Sequence, residues 1–232
     1  MELTLVRHAQ PQWYVDELHQ GSDPGLSELG FHQAELLADA LVLEHFDEIY
    51  VSPMLRARQT VAPLLQRLDR EEVIAAWLEE IKDPPWHGWP RTDVAQAYEN
   101  EDLLALEDRW TGLPGGERID EFQKRINRDL ETFLAGYGIV ENDHAIPTWS
   151  AIHGTAVERT NGPKVLCVAH GGTNSVITAR LLGANRTPFE WFRFWYSHTT
   201  IGRHVARAAS GSVFFALRGL ETSHIPSDQH TH

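Results

Sequence analysis

The chain is nearly free of cysteine: Cys167 is the only one in 232 residues. An internal disulfide is therefore excluded, and so is a metal site built on a cysteine cluster. Lysine is scarce as well, with only Lys82, Lys124 and Lys164. No apolar run approaches the ~18 residues that a membrane span needs. Met1 to Arg7 has no basic leader ahead of an apolar stretch, which speaks against a signal peptide. A cytoplasmic location is the expectation, since cytosolic proteins do without disulfides. Positive charge is in short supply: 20 Lys and Arg stand against 33 Asp and Glu, a formal net charge of −13. Such an exterior repels nucleic acid and anionic membrane surfaces, and neither is expected as a partner. It also repels phosphorylated molecules at long range, so an anionic substrate needs a local cationic pocket.

What is present reads as alternating strands and helices. Glu2 to Arg7 alternates in strand fashion, with Leu3 and Leu5 on one face. After a loop from Gln10 to Gly25, Ser27 can cap a helix whose apolar face is Leu29, Ala34, Leu37 and Leu41. Glu48 to Val51 is a short strand ending at Ser52-Pro53, and a helix follows through Val61, Leu64, Leu65 and Leu68. Val73 to Leu78 suggests a third strand, on which Glu79 and Glu80 would point to opposite faces. Asp83 to Arg91 is rich in Pro and Trp and reads as a loop, with Trp86 and Trp89 open to a role as substrate wall or dimer contact. Asp93 to Leu106 and Glu117 to Phe133 read as helices, with Glu117 favouring a helix dipole. Lys164 to Ala169 is almost wholly apolar, as a strand buried on both faces should be. Gly172 to Leu182 is a helix, and Ile201 to Arg207 with Ser212 to Arg218 a hairpin. The expected architecture is α/β with helices on both faces. One domain is expected over residues 1–222, with insertions near 83–113 and 136–162 and a disordered tail over 223–232.

Three strand ends carry the chemistry. Arg7-His8 ends the first strand, Ser52-Pro53 leads from the second to Arg56, and His170-Gly171-Gly172 ends the buried one. In open α/β sheets ligands bind at the carboxyl ends of strands. Arg7, His8, Arg56 and His170 would then share one pocket, and guanidinium forks match phosphate oxygens. The Gly-Gly step after His170 suits a helix N-terminus turned toward an anion. Arg58 is expected to point elsewhere, and Cys167 to be an inert small hydrophobe.

These motifs resemble the histidine phosphatase (phosphoglycerate mutase-like) superfamily: Arg7-His8-Ala9 after an N-terminal strand, Ser52-Pro53-Met54-Leu55-Arg56-Ala57-Arg58-Gln59-Thr60, and His170-Gly171-Gly172. Asp23 to Gly30 with Gln33-Ala34, Leu78-Glu79-Glu80 and Pro114-Gly115-Gly116-Glu117 agree in order. The resemblance implies a three-layer α/β/α sandwich with a mostly parallel central sheet. It implies that His8 is the nucleophile and forms a phosphohistidine. Arg7, Arg56 and His170 would hold the phosphoryl oxygens, with Gln10 and Gly171 as further substrate contacts. Glu80, favoured over Glu79, would serve as acid and base. No metal and no cofactor are implied. The substrate would be a small phosphate monoester, and the chain a monomer or homodimer.

Departures bear on the substrate. Pro11, Trp13 and Tyr14 stand where the family often has a Ser or Thr and a Trp-Asn pair, so Gln10 or the Tyr14 hydroxyl would replace the Asn. Phosphoglycerate mutase-type phosphotransfer is the alternative, disfavoured by those positions and by the scarcity of Lys. A catalytically silent binding member is a third reading, disfavoured by the intact Arg7, His8, Arg56, Glu80 and His170 set.

Overall fold

The computed structural model describes residues 1–19, 21–142, 149–152, 162–209 and 212–232. Eight strands form one sheet in the order β3-β2-β6-β1-β7-β8-β5-β4. They are β1 (Glu2–Arg7), β2 (Glu48–Val51), β3 (Val73–Ile74), β4 (Ile139–Glu141), β5 (Trp149–Ala151), β6 (Lys164–Ala169), β7 (Ile201–Ala209) and β8 (Ser212–Glu221). β3, β2, β6 and β1 run parallel. From β1 onward every neighbour, β7, β8, β5 and β4, is antiparallel. The sheet is thus mixed, and the expected parallel character holds for one half of it. The reason is in part chain economy: β7 and β8 lie two residues apart in sequence, too few for the crossover that a parallel pair needs.

Helices cover both faces, as expected. Leu3, Leu5, Val165, Cys167 and Ala169 face one way, into a cluster with Phe122, Ile126, Leu130 and Leu134 of α4 (Ile119–Gly136) and Val176 and Ile177 of α5 (Gly171–Leu181). Val6, Leu166 and Val168 face the other way, onto Leu37 and Leu41 of α1 (Glu28–Leu41) and Val61 and Leu64 of α2 (Leu55–Leu68). Burial on both faces of β6 explains why Lys164–Ala169 reads as an almost continuous apolar run. Each fully buried Leu, Ile or Phe in these layers contributes ~1.5–3 kcal/mol. Ser27 caps α1 by accepting from the Gly30 N–H at 3.0 Å. Cys167 is buried, and burial pushes its thiol pKa well up, which keeps it inert.

Several local expectations change. β3 is only two residues long, and Ala76–Leu78 is a 3-10 turn, so Glu79 and Glu80 lie in a loop rather than on a strand. The helix expected over 93–106 is α3, Arg91–Asp102; a 3-10 turn follows at Asp108–Thr111, and α6 is Glu190–Arg193. Strands β4 and β5 come from the connection expected at 136–162 and add to the sheet edge; residues 143–148 and 153–161 of it, and Ser210-Gly211 between β7 and β8, lie outside the described residues. The last ten residues pack against the domain instead of forming a disordered tail. Ile225 is buried, and Gln33 Nε2 donates to the Gln229 carbonyl at 2.8 Å and to Thr231 Oγ1 at 3.0 Å. Composition hid this docking, because it rests on polar bonds more than on an apolar face. Among the described residues no helix is long and apolar enough to cross a membrane.

Candidate active site

β1 and β6 are adjacent and parallel, so Arg7 and Ala169 sit side by side at their carboxyl ends. His8 and His170 follow directly, with ring centroids 5.1 Å apart. Ser52, one residue past β2, donates its N–H to the Val168 carbonyl, and its Oγ lies 2.8 Å from His170 Nε2. Arg56, in the first turn of α2, donates from Nε to His8 Nε2 at 3.2 Å. The strands therefore bring Arg7, His8, Arg56 and His170 together as expected.

The rest of the Ser52–Thr60 motif holds this geometry. Asp23 accepts from the Leu55 N–H at 2.7 Å, and Gln59 Oε1 accepts from the Leu26 N–H at 2.7 Å. Thr60 Oγ1 accepts from the Ala9 N–H at 2.9 Å, which pins the residue after His8. Arg56 is 2% exposed. Its guanidinium also donates to the Ser22 carbonyl at 3.1 Å and lies over the Trp13 ring at 4.8 Å. Burial lowers its pKa to about 10, so it stays cationic at neutral pH. Arg58 turns outward and pairs with Glu72 at 2.7 Å.

The tautomer of His8 follows from its partners. Nδ1 lies 2.7 Å from the Ala9 carbonyl, which can only accept, so Nδ1 carries the proton. Nε2 then keeps its lone pair. Burial, then Arg56, His170, Arg7 and His198, hold the His8 pKa well below its ordinary value, so the ring is neutral. A neutral imidazole whose Nε2 lone pair is engaged only by Arg56 Nε, a group that a bound anion can draw to itself, is a nucleophile poised for that anion.

Glu80 is placed by its own network. Oε2 accepts from the Gly172 N–H at 2.8 Å, and Oε1 from the Thr173 N–H at 3.1 Å. The helix N-terminus expected to face an anion thus holds a side-chain carboxylate. Gly172 is needed there, since a Cβ would lie 2.6 Å from Glu80 Oε1. Gly171 lets the Arg7 side chain pack closely, its would-be Cβ being 3.4 Å from Arg7 Nε. Arg125 of α4 donates to the Glu79 carbonyl at 3.1 Å and the Glu80 carbonyl at 2.7 Å, and its Nε donates to Glu117 at 2.7 Å. Glu117 therefore anchors Arg125 rather than the helix dipole. Gln10 is less free than expected: its amide oxygen accepts from Ser27 Oγ at 2.7 Å.

A cleft of about 680 Å³ opens beside Arg56 and Glu80, with Asp23, Glu79, Asp83 and Trp86 among its walls. Trp86 is buried against His19 and Tyr98, whereas Trp89 is exposed. Asp83 accepts from the Tyr98 hydroxyl at 2.9 Å, and burial raises its pKa to about 6. Sequence reasoning missed His198, whose ring centroid is 5.5 Å from that of His8. Its only signal was its place just before β7, the strand that borders β1. Among the described residues, Arg7 Nε, His170 Nδ1 and His198 Nε2 are buried without a hydrogen-bond partner. Unpaired buried polar atoms are costly, and their concentration around His8 marks a ligand position. No group of His, Cys, Asp or Glu among the described residues could hold a metal ion.

Residues 3–206 match the histidine phosphatase superfamily (branch 1). The chain belongs to this family. Phosphoserine phosphatase 1 of Hydrogenobacter thermophilus is 35% identical over 138 residues, covering 56% of this chain and 63% of that protein. A 2,3-bisphosphoglycerate-dependent phosphoglycerate mutase of Cytophaga hutchinsonii is 30% identical over 128 residues, 53% of this chain and 60% of that protein. The matched part thus spans under two thirds of either relative. The α-ribazole phosphatase structure from Shigella flexneri superposes with a TM-score of 0.69 at 24% identity, covering 96% of each chain, a likeness of fold.

The buried imidazoles make stability acid-sensitive. His8, His170, His198, His204 and His224 all have pKa values lowered by burial, His204 and His224 to about 4. Unfolded, each titrates near its ordinary value of about 6.5. Between those limits the unfolded chain binds protons that the folded chain refuses, so stability falls as pH drops below ~6.5. The sign is that of a base with a depressed folded pKa: the contribution is complete above the unfolded value and is lost toward the folded one. Each such histidine adds about 1.4 kcal/mol per pH unit to the slope. Asp83 and Glu101, whose carboxyl pKa values burial raises, work the other way, but they are outnumbered. Urea melts at several pH values between 7.5 and 4.5 should show a steep loss of midpoint below 6.5; a flat profile contradicts the neutral imidazoles.

Proposed function

We propose that this chain is a phosphatase that hydrolyses a small-molecule phosphate monoester through a phosphohistidine on His8. The observation that carries the reading is the set of unpaired buried atoms, Arg7 Nε and His170 Nδ1, around a neutral His8 held against Arg56. The phosphoryl group sits among Arg7, Arg56 and His170, which neutralise its oxygens as charge develops. His8 Nε2 attacks phosphorus in line, and the bond to the ester oxygen breaks. Glu80 protonates that leaving oxygen. It then takes a proton from the water that attacks the phosphohistidine, and orthophosphate leaves with His8 restored. The guanidinium groups supply the positive charge that a metal ion supplies in other phosphatases, and the neutral imidazoles add hydrogen bonds.

Mutase-type phosphotransfer is the second reading, supported by similarity to a phosphoglycerate mutase. A bisphosphate needs a second cationic cluster, whereas the cleft beside Arg56 carries Asp23, Glu79 and Asp83 against Lys82. The acid walls favour hydrolysis. The purified protein should release phosphate from p-nitrophenyl phosphate, and EDTA should leave the rate unchanged. Loss in EDTA restored by a divalent ion overturns the metal-independent mechanism. Conversion of 3-phosphoglycerate in the presence of its bisphosphate primer, without phosphate release, establishes the mutase instead. A panel of phosphorylated metabolites then identifies the substrate.

A further inference from the structure

We propose that His198 is a substrate-binding group of this site, donating a hydrogen bond from Nε2 to a phosphoryl oxygen of the ester held at His8. The inference rests on the phosphatase reading and adds a residue to it.

The argument starts with which atom of His198 carries its proton. The backbone N–H of Gln10 donates to Gln33 Oε1 at 2.9 Å, which fixes the orientation of the Gln33 amide. Gln33 Nε2 must then donate, and it does so to Thr231 Oγ1 at 3.0 Å and to the Gln229 carbonyl at 2.8 Å. Thr231 Oγ1 also lies 2.8 Å from His198 Nδ1. A hydroxyl has one proton to give. With Gln33 donating to its oxygen, Thr231 uses that proton best by donating to Nδ1. Nδ1 is then the acceptor, and the ring proton sits on Nε2.

Nε2 is the atom left over. His198 is 2% exposed, and among the described residues its Nε2 has no partner. An N–H buried without an acceptor costs free energy, unless a ligand supplies one. The ring is held for that purpose. Its backbone N–H donates to the Thr231 carbonyl at 3.1 Å, and the Tyr14 ring meets it edge-on at 4.9 Å. The next residue, Thr199, has a φ of 58°, a left-handed conformation that a β-branched residue adopts only at a cost. Thr199 donates its N–H to the Arg7 carbonyl at 3.1 Å, so the same turn ties His198 to the strand end that carries His8. Burial and Arg7 keep the ring neutral. A neutral donor of fixed orientation adds to Arg7, Arg56 and His170 without a further charge to desolvate.

Two measurements test this on the full chain. Imidazole nitrogen NMR of the free protein should show His198 as the Nε2–H tautomer, with the Nε2 signal shifting when orthophosphate is added. An Nδ1–H tautomer overturns the inference. Calorimetric titration with orthophosphate compares wild type with His198→Leu, His198→Asn and Thr231→Val. Loss of one hydrogen bond to a charged group predicts about a 10- to 100-fold weaker affinity for the Leu variant. The Asn variant, which keeps an N–H donor, should lose much less. Equal losses in both overturn the donor role. Thr231→Val leaves His198 in place and covers the case in which neither His198 variant folds; it should weaken phosphate binding several-fold, and an unchanged affinity overturns the relay. Orthophosphate binding needs no turnover. A wild type that binds it but cleaves no ester ends the phosphatase reading and leaves His198 standing. A wild type that binds none ends the His198 inference.

Discussion

His8→Ala should abolish turnover and with it any acid-labile phosphoenzyme. Removing a covalent nucleophile costs on the order of a million-fold where the rest of the site stays intact. Here the loss has two parts. The attacking lone pair disappears, and Arg56 Nε loses the acceptor it holds at 3.2 Å. Both act on the same step, so the loss should be at least that large, and the arginines that remain keep the residual rate above that of solution hydrolysis. Rapid quench with labelled substrate is the direct measurement: wild type gives labelled protein stable in base and lost in acid, and the variant gives none. A variant with full activity sinks the assignment of His8. The same substitution carries an internal control. It deletes one of the imidazoles kept neutral by burial, so stability should depend less steeply on pH below ~6.5. Thermal melts at pH 7.5 and 5.5 separate loss of chemistry from loss of fold.

The residues joined by strand order were readable in advance. Arg7, His8, Arg56 and His170 each stand within a few residues of a strand end, and an apolar run such as Lys164–Ala169 can only be a central strand. Their meeting needed no side-chain detail. Glu80 lines the cleft, but so does Glu79, and the strand-face argument that separated them does not apply: Ala76–Leu78 turns as a 3-10 segment, and the chain beyond it is held by the Arg125 fork on the Glu79 and Glu80 carbonyls. A fork reaching from another helix leaves no periodic trace. His198 was unreadable for a similar reason. The hairpin that follows it was clear, but its docking beside β1 is a non-local choice. The docked last residues were missed because polar contacts to Gln33 and His198 replace the apolar stripe that sequence patterns reveal. The half-antiparallel sheet follows from the same hairpin.

Glu80→Gln should slow ordinary alkyl phosphates by roughly a hundredfold or more, the usual scale of general acid catalysis. An alkoxide leaves poorly, so a proton must arrive as the phosphorus–oxygen bond breaks. p-Nitrophenolate needs no such help, and phosphorylation of the variant by p-nitrophenyl phosphate should be slowed far less. A structural effect is expected alongside, because the Gln amide nitrogen cannot accept from both Gly172 and Thr173 as the carboxylate does. That effect weighs equally on all substrates, which is why the contrast between leaving groups is the decisive reading. Single-turnover bursts isolate phosphorylation from the later attack of water, in which Glu80 also takes part. Equal burst losses with both substrates refute the acid role. If Glu79→Gln gives the contrast and Glu80→Gln does not, the acid is the neighbour, which also lines the cleft.

The pairing of β1 with β6 sets Glu2 beside Lys164 and Arg7 beside Ala169. During synthesis, the segment bearing the first half of the constellation leaves the ribosome long before its partner strand exists. Parallel pairing across so much chain closes slowly and exposes apolar edges meanwhile. A nascent or truncated chain that stops short of Lys164 carries Arg7, His8 and Arg56 but lacks both His170 and the strand that seats β1 beside β2. On the phosphatase reading, the completed constellation is therefore a late property of this polypeptide, because its last member and the strand that joins its two halves arrive together.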